Sequence, residues 1–396
     1  DLQWFFNQWF HEQGHPNLHI DYDYDDGEAI IQVDQTQDGT EMPAIFQLSA
    51  AIHIYLPGEE KPIRKMVHVD QRNQTFRIPV AQKPALIIFD ADRNILAEWD
   101  DDKTNEELVY QFKHAPRLFD RFQAITQIDD IDLWNVILRD ALQDDFHGIR
   151  QIALQGVSQV ENHSEAVLAQ IYKLAESDPH SDVRSAALLA LPALGHDKAL
   201  VAAKKALDAQ AYNVIGAGLE TIYKISPEEG IKGAKKLENE KNDDIIVAVG
   251  EIYASEGKAE HLPYFEKNLT NVDEFAALNF YESCASILIE SQPASLSSSI
   301  EIFEKIGTDQ GQSAWRRLAS IQSLSTIKTA FINEIGDDKM SDLYPYLETL
   351  SAAITNIKDK ETNHQFPLSF LFALQNFIIS AIRFSLVASR FAWFNQ

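Results

Sequence analysis

The sequence predicts a multidomain β + α protein in which an antiparallel β-sandwich is followed by an α-helical solenoid. Two observations predict it: apolar residues alternate with a period of two over residues 18–112, and a helical repeat occupies the remainder. A chain of 396 residues exceeds what one hydrophobic core usually holds, so several domains are expected. We predict a first helix in residues 1–17, the β-sandwich in 18–114 and the helical repeats in 115–396.

The first element is a short helix predicted over residues 2–13. An apolar, largely aromatic face recurs at helical spacing and consists of Leu2, Phe5, Phe6, Trp9 and Phe10. Gly14 and Pro16 are the usual signals for the end of a helix, which predicts a stop at Gly14.

Seven short strands are predicted next, with no helices between them. In the first strand Leu18, Ile20 and Tyr22 lie on one face and aspartates on the other, and Asp26-Gly27 is a turn signal. The other strands are predicted at residues 29–36, 44–56, 63–69, 74–78, 85–89 and 95–99. Strands at such close spacing are typical of an antiparallel β-sandwich.

A helical repeat begins beyond Pro116. DFHGIRQIALQGVSQV at residues 145–160 aligns with PHSDVRSAALLALPAL at residues 179–194, which are 34 residues further along the chain. A third copy occupies residues 211–225, and fainter copies follow. Recurring helix pairs of this kind are typical of a HEAT- or ARM-like solenoid. Tetratricopeptide repeats have a similar length, but their Trp, Gly and Tyr positions are not visible here.

Arg150 and Arg184 occupy the same position in two repeats, with Asp145 or Asp182 nearby. One interpretation is an arginine that faces a ligand. The other is an Asp–Arg contact between repeats, which we favour because the residue recurs with the repeat.

The composition limits the partners. A formal net charge of −26 argues against nucleic acid and anionic membranes, since both need a basic face on the protein. The one cysteine, Cys284, excludes an intrachain disulfide, and its apolar helical surroundings predict a core thiol. We expect a soluble protein, in either the cytoplasm or the periplasm.

The apolar segment at residues 366–394 is too interrupted for a membrane span, because Gln375, Asn376, Arg383 and Arg390 fall within it. We predict a buried terminal helix that closes the solenoid. An exposed association surface is the alternative.

Residues His11 to His15 match H-E-x-x-H, the zinc signature in which two histidines bind the metal and the glutamate is the general base. Asp34 lies at the spacing of a possible third ligand. Zinc binding requires that both histidines lie on one face of a continuous helix. Because Gly14 and Pro16 end the helix inside the motif, we assign no catalytic, metal-binding or cofactor-binding residue to this chain.

DYDYDDG at residues 21–27 imitates a calcium-binding loop. An EF-hand needs Gly at the sixth position and Glu at the twelfth, which here are Asp26 and Gln32. The alternation of Asp and Tyr fits a strand better. The sequence also lacks a Gly-rich phosphate loop and a G-x-S-x-G elbow.

The N-terminal junction resembles that of the aminopeptidase N family of zinc metallopeptidases. In that family the last helix of the catalytic domain carries a W-F-F-x-Q-W pattern, ends at Gly-His-Pro and leads into a β-sandwich. The matching positions are Trp4, Phe5, Phe6, Gln8, Trp9, Gly14, His15, Pro16 and Leu18. The order of β-sandwich and HEAT-like domain also agrees with the family.

The resemblance implies a non-catalytic role. The family's G-x-M-E-N motif does not occur here, and its zinc motif lies well N-terminal to this junction. Residues 1–17 would be the last helix of a catalytic domain missing from this chain, and zinc would be bound by that domain. The chain would be the C-terminal scaffold and lid of an enzyme that removes N-terminal residues from peptides, and would be inactive alone.

The alternative function is a stand-alone HEAT-repeat scaffold for protein interactions. The aromatic face of the first helix argues against it, because such a face needs a neighbour. In the aminopeptidase interpretation the partners are the catalytic domain and peptide substrates. An acidic solenoid wall could favour peptides with basic or free amino ends.

Overall fold

The computed structural model describes residues 2–40, 42–160, 163–195, 198–292, 296–336 and 341–360. These residues form a mixed β and α protein with the strands first and the helices after them. By its contacts the chain divides into two compact units, Asp1–Ile149 and the part from Arg150 onward.

The first helix is shorter than predicted. α1 (Gln3–Phe6) continues as one π-helical turn, Asn7–His11, and Glu12 is already extended with ψ 164°. The helix therefore ends at His11, before Gly14. Gly14 has φ +85°, and a Cβ there would lie 2.8 Å from Met42 Cβ, so this turn requires glycine.

The polar side of the same segment is fixed to the loop before β3. Gln8 Nε2 donates to the carbonyl of Gln47 at 3.2 Å, and the Gln47 amide donates to Gln8 Oε1 at 2.7 Å. Trp9 packs on the buried Phe46 with ring centroids 5.5 Å apart. These contacts hold one face of the helix against the first unit.

Seven strands are present in the described residues: β1 (Asn17–Asp25), β2 (Glu28–Gln35), β3 (Leu48–Tyr55), β4 (Ile63–Val69), β5 (Asn73–Pro79), β6 (Leu86–Ile88) and β7 (Glu98–Asp101). One sheet has the order β5-β2-β1-β7 and the other β4-β3-β6. Asp26 and Gly27 both have positive φ, as a two-residue hairpin between β1 and β2 requires.

The pairing departs from the prediction at one strand. β1–β2, β2–β5, β3–β4 and β3–β6 are antiparallel, whereas β7 joins β1 in parallel. The predicted last strand at residues 95–99 forms only from Glu98 onward. The purely antiparallel prediction is therefore wrong at β7, because the return from β6 brings the chain beside β1 in the same direction.

Both sheets contribute to one apolar core. Leu18, Ile20 and Ile31 of the first sheet cluster with Ile52 and Ile54 of the second, and all five are buried. The alternation of apolar and acidic residues in β1 thus separates a core face from an outer face.

Four helices follow the strands: α2 (Asn105–His114), α3 (Leu118–Gln127), α4 (Ile131–Ala141) and α5 (His147–Gly156). Arg93 of the β6–β7 connection contacts Asp120 of α3, with Nε 3.0 Å and Nη2 2.5 Å from Oδ1. Asp120 is buried in this ion pair, and Arg93 is partly buried.

α2 begins with a capping box. The Glu107 amide donates to Thr104 Oγ1 at 3.3 Å, and the Thr104 amide donates to Glu107 Oε2 at 2.9 Å. Replacing Thr104 by alanine is expected to lower the free energy of unfolding by about 1 kcal/mol, because an amide of the first turn loses its acceptor. Urea denaturation checks this, and Thr104→Ser should retain most of the stability.

The second unit contains eleven described helices: α6 (Glu165–Ser177), α7 (Ser181–Ala190), α8 (Ala199–Ala206), α9 (Tyr212–Ile225), α10 (Pro227–Leu237), α11 (Asp243–Glu256), α12 (Leu262–Asn268), α13 (Ala277–Ser291), α14 (Leu296–Thr308), α15 (Ala314–Ile335) and α16 (Tyr344–Lys360). α7, α9, α11, α13 and α15 contact one another in that order and form a row. The starts of α4, α6 and α8, at Ile131, Glu165 and Ala199, are 34 residues apart, as the repeat predicts.

The two repeated arginines make intramolecular contacts. Arg150 bonds to both carboxylate oxygens of Asp178, with Nε 2.8 Å from Oδ2 and Nη2 2.9 Å from Oδ1, and both residues are buried. Arg184 Nη1 donates to the Asp178 carbonyl at 2.6 Å. Arg150 thus contacts an aspartate one repeat further along, at Asp178 instead of the Asp182 noted in the sequence.

Cys284 lies in the core of the second unit, where burial raises the pKa of its thiol. The apolar segment at residues 366–394 lies outside the described residues. Among the helices that the structure does describe, none combines the length and apolarity needed to cross a bilayer.

Candidate functional site

A pocket of about 240 Å³ lies among α7, α9, α11 and the start of α13. We call it the acidic pocket, because four of its lining residues carry carboxylates and none is basic. Its polar lining consists of Ser185, Asn213, Glu220, Asp243, Asp244, Asp273 and Asn279.

Close contact between α9 and α11 brings these groups together. At Gly216 an added Cβ would lie 3.0 Å from the Asp244 carbonyl oxygen and 3.3 Å from Ala248 Cβ. A side chain there would have to push α11 away, so glycine allows the two backbones to approach. Glu220 lies one turn after Gly216 on the same face of α9, which places its carboxyl against α11.

Most of the aspartates belong to helix N-termini. Asp243 and Asp244 form the first turn of α11, whose cap is Asn242, and the Asp244 amide donates to Asn242 Oδ1 at 3.0 Å. Asp273 Oδ1 accepts from the amides of Phe275 at 2.7 Å and Ala276 at 3.0 Å. Acidic residues at these positions stabilise the helices, which explains their presence without a ligand.

The carboxylates of the pocket influence one another. Burial raises the pKa of Asp243, and the charge of Asp273 raises it further. Burial likewise raises the pKa of Asp244, with additional repulsion from Asp243 and Asp273. Burial and, after it, the negative charge of Glu251 raise the pKa of Glu220 to about 8. The pocket therefore holds more negative charge than its surroundings readily stabilise.

Such an arrangement attracts cations and repels anions. The acidic pocket suits an ammonium group, because its walls carry several carboxylates and neither lysine nor arginine. Arg316 is a cation that acts on Asp243, and it also donates to the Val272 carbonyl at 2.5 Å. The lining includes no nucleophile held by a base, so the geometry suits binding and not covalent catalysis.

A larger cavity of about 510 Å³ lies among α8, α9, α10 and α11. Its floor is apolar, with Leu207, Ile215 and Ile222, and its rim carries three lysines and two glutamates. Lys204 and Glu229 of that rim form an ion pair at 2.7 Å. The mixed rim favours no particular charge on a ligand.

The residues that match H-E-x-x-H, His11 to His15, do not lie on one face of a helix. The helix ends at His11, Glu12 is extended, and Gly14 turns the chain with positive φ. His15 Nε2 lies 3.1 Å from Glu98 Oε1 at the start of β7. Asp34 lies in β2, where its carboxylate accepts from Asn73 Nδ2 at 2.8 Å and Gln32 Nε2 at 3.0 Å.

The described residues include one group spaced closely enough to hold a metal ion, His19, Asp21 and Asp102. Both ring nitrogens of His19 already have carboxylate partners: Nδ1 lies 2.9 Å from Asp100 Oδ2, and Nε2 lies 3.3 Å from Asp21 Oδ2. The hydrogen bond with Asp100 raises the pKa of His19. A histidine that retains its proton is a poor metal ligand, so this group suits an ion pair. Of the calcium-like segment at residues 21–27, only Asp21 takes part.

The sequence interpretation missed the acidic pocket. Its signal is acidic residues at the starts of two row helices, with Asp243 and Asp244 in the first turn of α11 and Asp273 shortly before α13. Each aspartate alone resembles an ordinary helix-starting residue. Only the order of helix contacts shows that these first turns meet.

Comparisons with known proteins give structural similarity alone. No protein-family description and no curated protein matches the sequence. A crystal structure of Legionella pneumophila aminopeptidase A in complex with aspartic acid superposes with a TM-score of 0.47 and 12% identity, over 91% of this chain and 50% of that one. The complex of CpcE and CpcF of phycocyanin lyase from Nostoc sp. PCC7120 gives 0.35 and 14%, over 55% of this chain and 94% of that one. The chain thus spans about half the length of the aminopeptidase, which it resembles weakly in structure.

Proposed function

We propose that this chain is the non-catalytic C-terminal region of a zinc aminopeptidase that removes N-terminal residues from peptides. In this proposal a β-sandwich and a HEAT-like solenoid form the scaffold and lid of an active-site cleft that another domain supplies. The chain itself carries no catalytic or zinc-binding residue. Zinc belongs to the catalytic domain.

The observation that carries the proposal is the exposed aromatic face of the first helix. Trp4, Phe5, Phe6 and Phe10 are 41%, 39%, 46% and 71% exposed. Four large apolar side chains within two turns are unusual on a free surface and indicate a partner that covers them. Gln8 and Trp9, on the other side, anchor the same helix to the first unit. In the aminopeptidase N family this position joins the catalytic domain to the β-sandwich.

Two further features support the architecture in this proposal. The two sheets share one apolar core, which is how a β-sandwich packs. The helices α7, α9, α11, α13 and α15 form a row, and the helices between them in the chain pack against that row. This is the arrangement expected of stacked helix pairs.

The acidic pocket supports the role of a lid. A wall rich in carboxylates would attract the free amino end or a basic side chain of a peptide that enters a neighbouring cleft. The pocket then contributes to substrate choice through charge, and the chemistry stays in the catalytic domain.

The proposal is tested on the purified chain and on the reading frame upstream of its coding sequence. We expect no peptidase activity and no stoichiometric zinc in the chain alone. The upstream frame should encode a helical H-E-x-x-H with a glutamate after eighteen intervening residues. Its product should co-purify with this chain, bring one zinc ion, and cleave N-terminal residues.

Matched surface variants make this test specific. Replacing Phe6 and Phe10 by serine should abolish co-purification, whereas replacing the exposed Met66 of β4 by serine should not. Tightly held zinc in the chain alone, lost in His11→Ala and His15→Ala, would contradict the proposal. An upstream frame without the zinc motif would favour the stand-alone scaffold.

A further inference from the structure

The larger cavity lies beyond the closest contacts between α9 and α10. An added Cβ at Gly230 would lie 2.5 Å from Tyr223 Cβ, and one at Gly233 would lie 2.6 Å from Leu219 Cδ1. Because residues later in α10 meet residues earlier in α9, the two helices run antiparallel. The same direction leads next to the cavity, between the first half of α9 and the end of α10. Its volume of about 510 Å³ is within the range of about 300–1,000 Å³ typical of small-molecule sites.

The floor of this cavity offers apolar surface that the fold leaves partly uncovered. Ile215 of α9, Leu237 of α10 and Leu207 after α8 line it, and each is only half-buried. Ile222 and Ile245, which are buried, complete the apolar lining. A ligand with apolar side chains would therefore gain the hydrophobic free energy of covering this surface.

The charged groups of the rim divide into paired and unpaired ones. Lys204 Nζ lies 2.7 Å from Glu229 Oε2, and Lys232 Nζ lies 2.6 Å from a carboxylate one turn before it. Lys236 and Glu240 also line the rim, and within the part of the chain that the structure describes neither makes an ion pair. The rim as a whole favours neither charge, but a ligand that carries both charges can use these two groups.

The placement of the two unpaired groups selects the kind of ligand. Since Lys236 and Glu240 do not pair with each other, the two charges of the ligand must reach different places on the rim. The charges of a free amino acid are attached to one carbon, whereas those of an extended dipeptide lie up to about 7 Å apart. The described lining includes no serine, threonine, cysteine or histidine, so the cavity suits holding a peptide and not cleaving it.

We propose that this cavity binds a short peptide with apolar side chains and free ends. The side chains cover Ile215 and Leu237, the terminal carboxylate meets Lys236, and the amino group meets Glu240. The cavity shares no lining residue with the acidic pocket, so the two sites are separate. The inference goes beyond the proposed role as a lid and does not rest on it, because the binding needs no catalytic domain.

Ligand-observed NMR of the whole chain with the dipeptide leucyl-leucine tests the proposal, and a titration gives the dissociation constant. Leucyl-leucine should bind, whereas glycyl-glycine, which has the same ends without apolar side chains, should not. Lys236→Gln and Glu240→Gln should each weaken leucyl-leucine binding about fivefold, because one end of the peptide loses its partner at an exposed site. Lys235→Gln is the matched control and should leave the affinity unchanged, since Lys235 lies in the same last turn of α10 but does not line the cavity.

Peptides with blocked ends make the assignment specific. Leucyl-leucine amide lacks the carboxylate, so Lys236→Gln should not change its affinity. N-acetyl-leucyl-leucine lacks the amino charge, so Glu240→Gln should not change its affinity. Ile215→Phe fills the floor and should weaken the binding of all three leucine peptides. If circular dichroism shows that Ile215→Phe does not fold, the variants at the exposed rim carry the test.

Three results would overturn the proposal. The first is no binding of leucyl-leucine at about 10 mM. The second is an equal effect of Lys235→Gln and Lys236→Gln, or an effect of Lys236→Gln on the amide as large as on the free dipeptide. The third is tighter binding of decanoate than of leucyl-leucine, which would indicate a site for an anionic amphiphile.

Discussion

Replacing Arg150 by alanine is expected to lower the free energy of unfolding by about 3 kcal/mol or more. Arg150 and Asp178 are 7% and 6% exposed, and two hydrogen bonds of 2.8 and 2.9 Å join them. Removing the guanidinium leaves a carboxylate buried without its cation, and that desolvation cost dominates the effect. Urea denaturation monitored by circular dichroism gives the change directly.

Two companion variants separate burial from charge. Lys205→Ala breaks an exposed pair with Glu176 of 3.0 Å in the same unit, and its urea midpoint should stay close to that of the wild type. Adding Asp178→Asn to Arg150→Ala should restore part of the loss, since the amide still accepts from the His180 amide but carries no charge. An Arg150→Ala protein as stable as Lys205→Ala would show that the buried pair is not important.

The repeat made the helical part predictable. A repeat at a fixed spacing can be detected without knowledge of long-range contacts, because each helix pair carries the same apolar pattern. The residues that the repeat aligns, Ile149 with Val183 and Leu154 with Leu188, are all buried in the structure. The sequence predicted that Arg150 would contact an aspartate of another repeat, because a residue that recurs with the repeat favours such a contact. It did not predict that the aspartate would be Asp178, because Asp178 precedes its helix and only the packing shows which carboxylate is near.

The β part was predicted where alternation and turns are strong. β1 and β2 follow the alternation and the Asp26-Gly27 turn. β7 has only four residues, and its parallel pairing with β1 depends on how the chain returns from β6. The aromatic helix also ends earlier than its apolar pattern, since its last turn is a π-helix in which the Glu12 amide donates to the Asn7 carbonyl at 3.0 Å. The periodicity of apolar residues in a sequence does not indicate such a π-helical turn.

The acidic pocket shows why a site can be harder to predict than a fold. Its carboxylates come from separate segments of the chain, and the aspartates each have an ordinary local reason to be acidic. What makes them a group is the close approach of α9 to α11 at Gly216. Sequence reasoning treats such a glycine as a weak helix former, whereas the structure shows that a side chain there would meet the Asp244 carbonyl.

The tight packing of α9 also predicts a strong effect at Gly230 of α10. A Cβ at this position would lie 2.5 Å from Tyr223 Cβ and 2.9 Å from the Tyr223 backbone nitrogen. Backbone atoms cannot turn aside, so Gly230→Ala must separate α9 from α10. We expect a loss of about 2–3 kcal/mol in the free energy of unfolding, even though alanine favours helices over glycine by about 1 kcal/mol.

Gly233 provides the matched control on the same helix. A Cβ there would lie 2.6 Å from Leu219 Cδ1, which is the end of a flexible side chain. Leu219 can change rotamer, and the helix-forming preference of alanine offsets part of the strain, so Gly233→Ala should shift the stability by less than about 1 kcal/mol. Both variants add one methyl group to α10, but at Gly230 the methyl group meets backbone atoms and at Gly233 it meets a side chain. Equal urea midpoints for the two variants would therefore contradict this prediction.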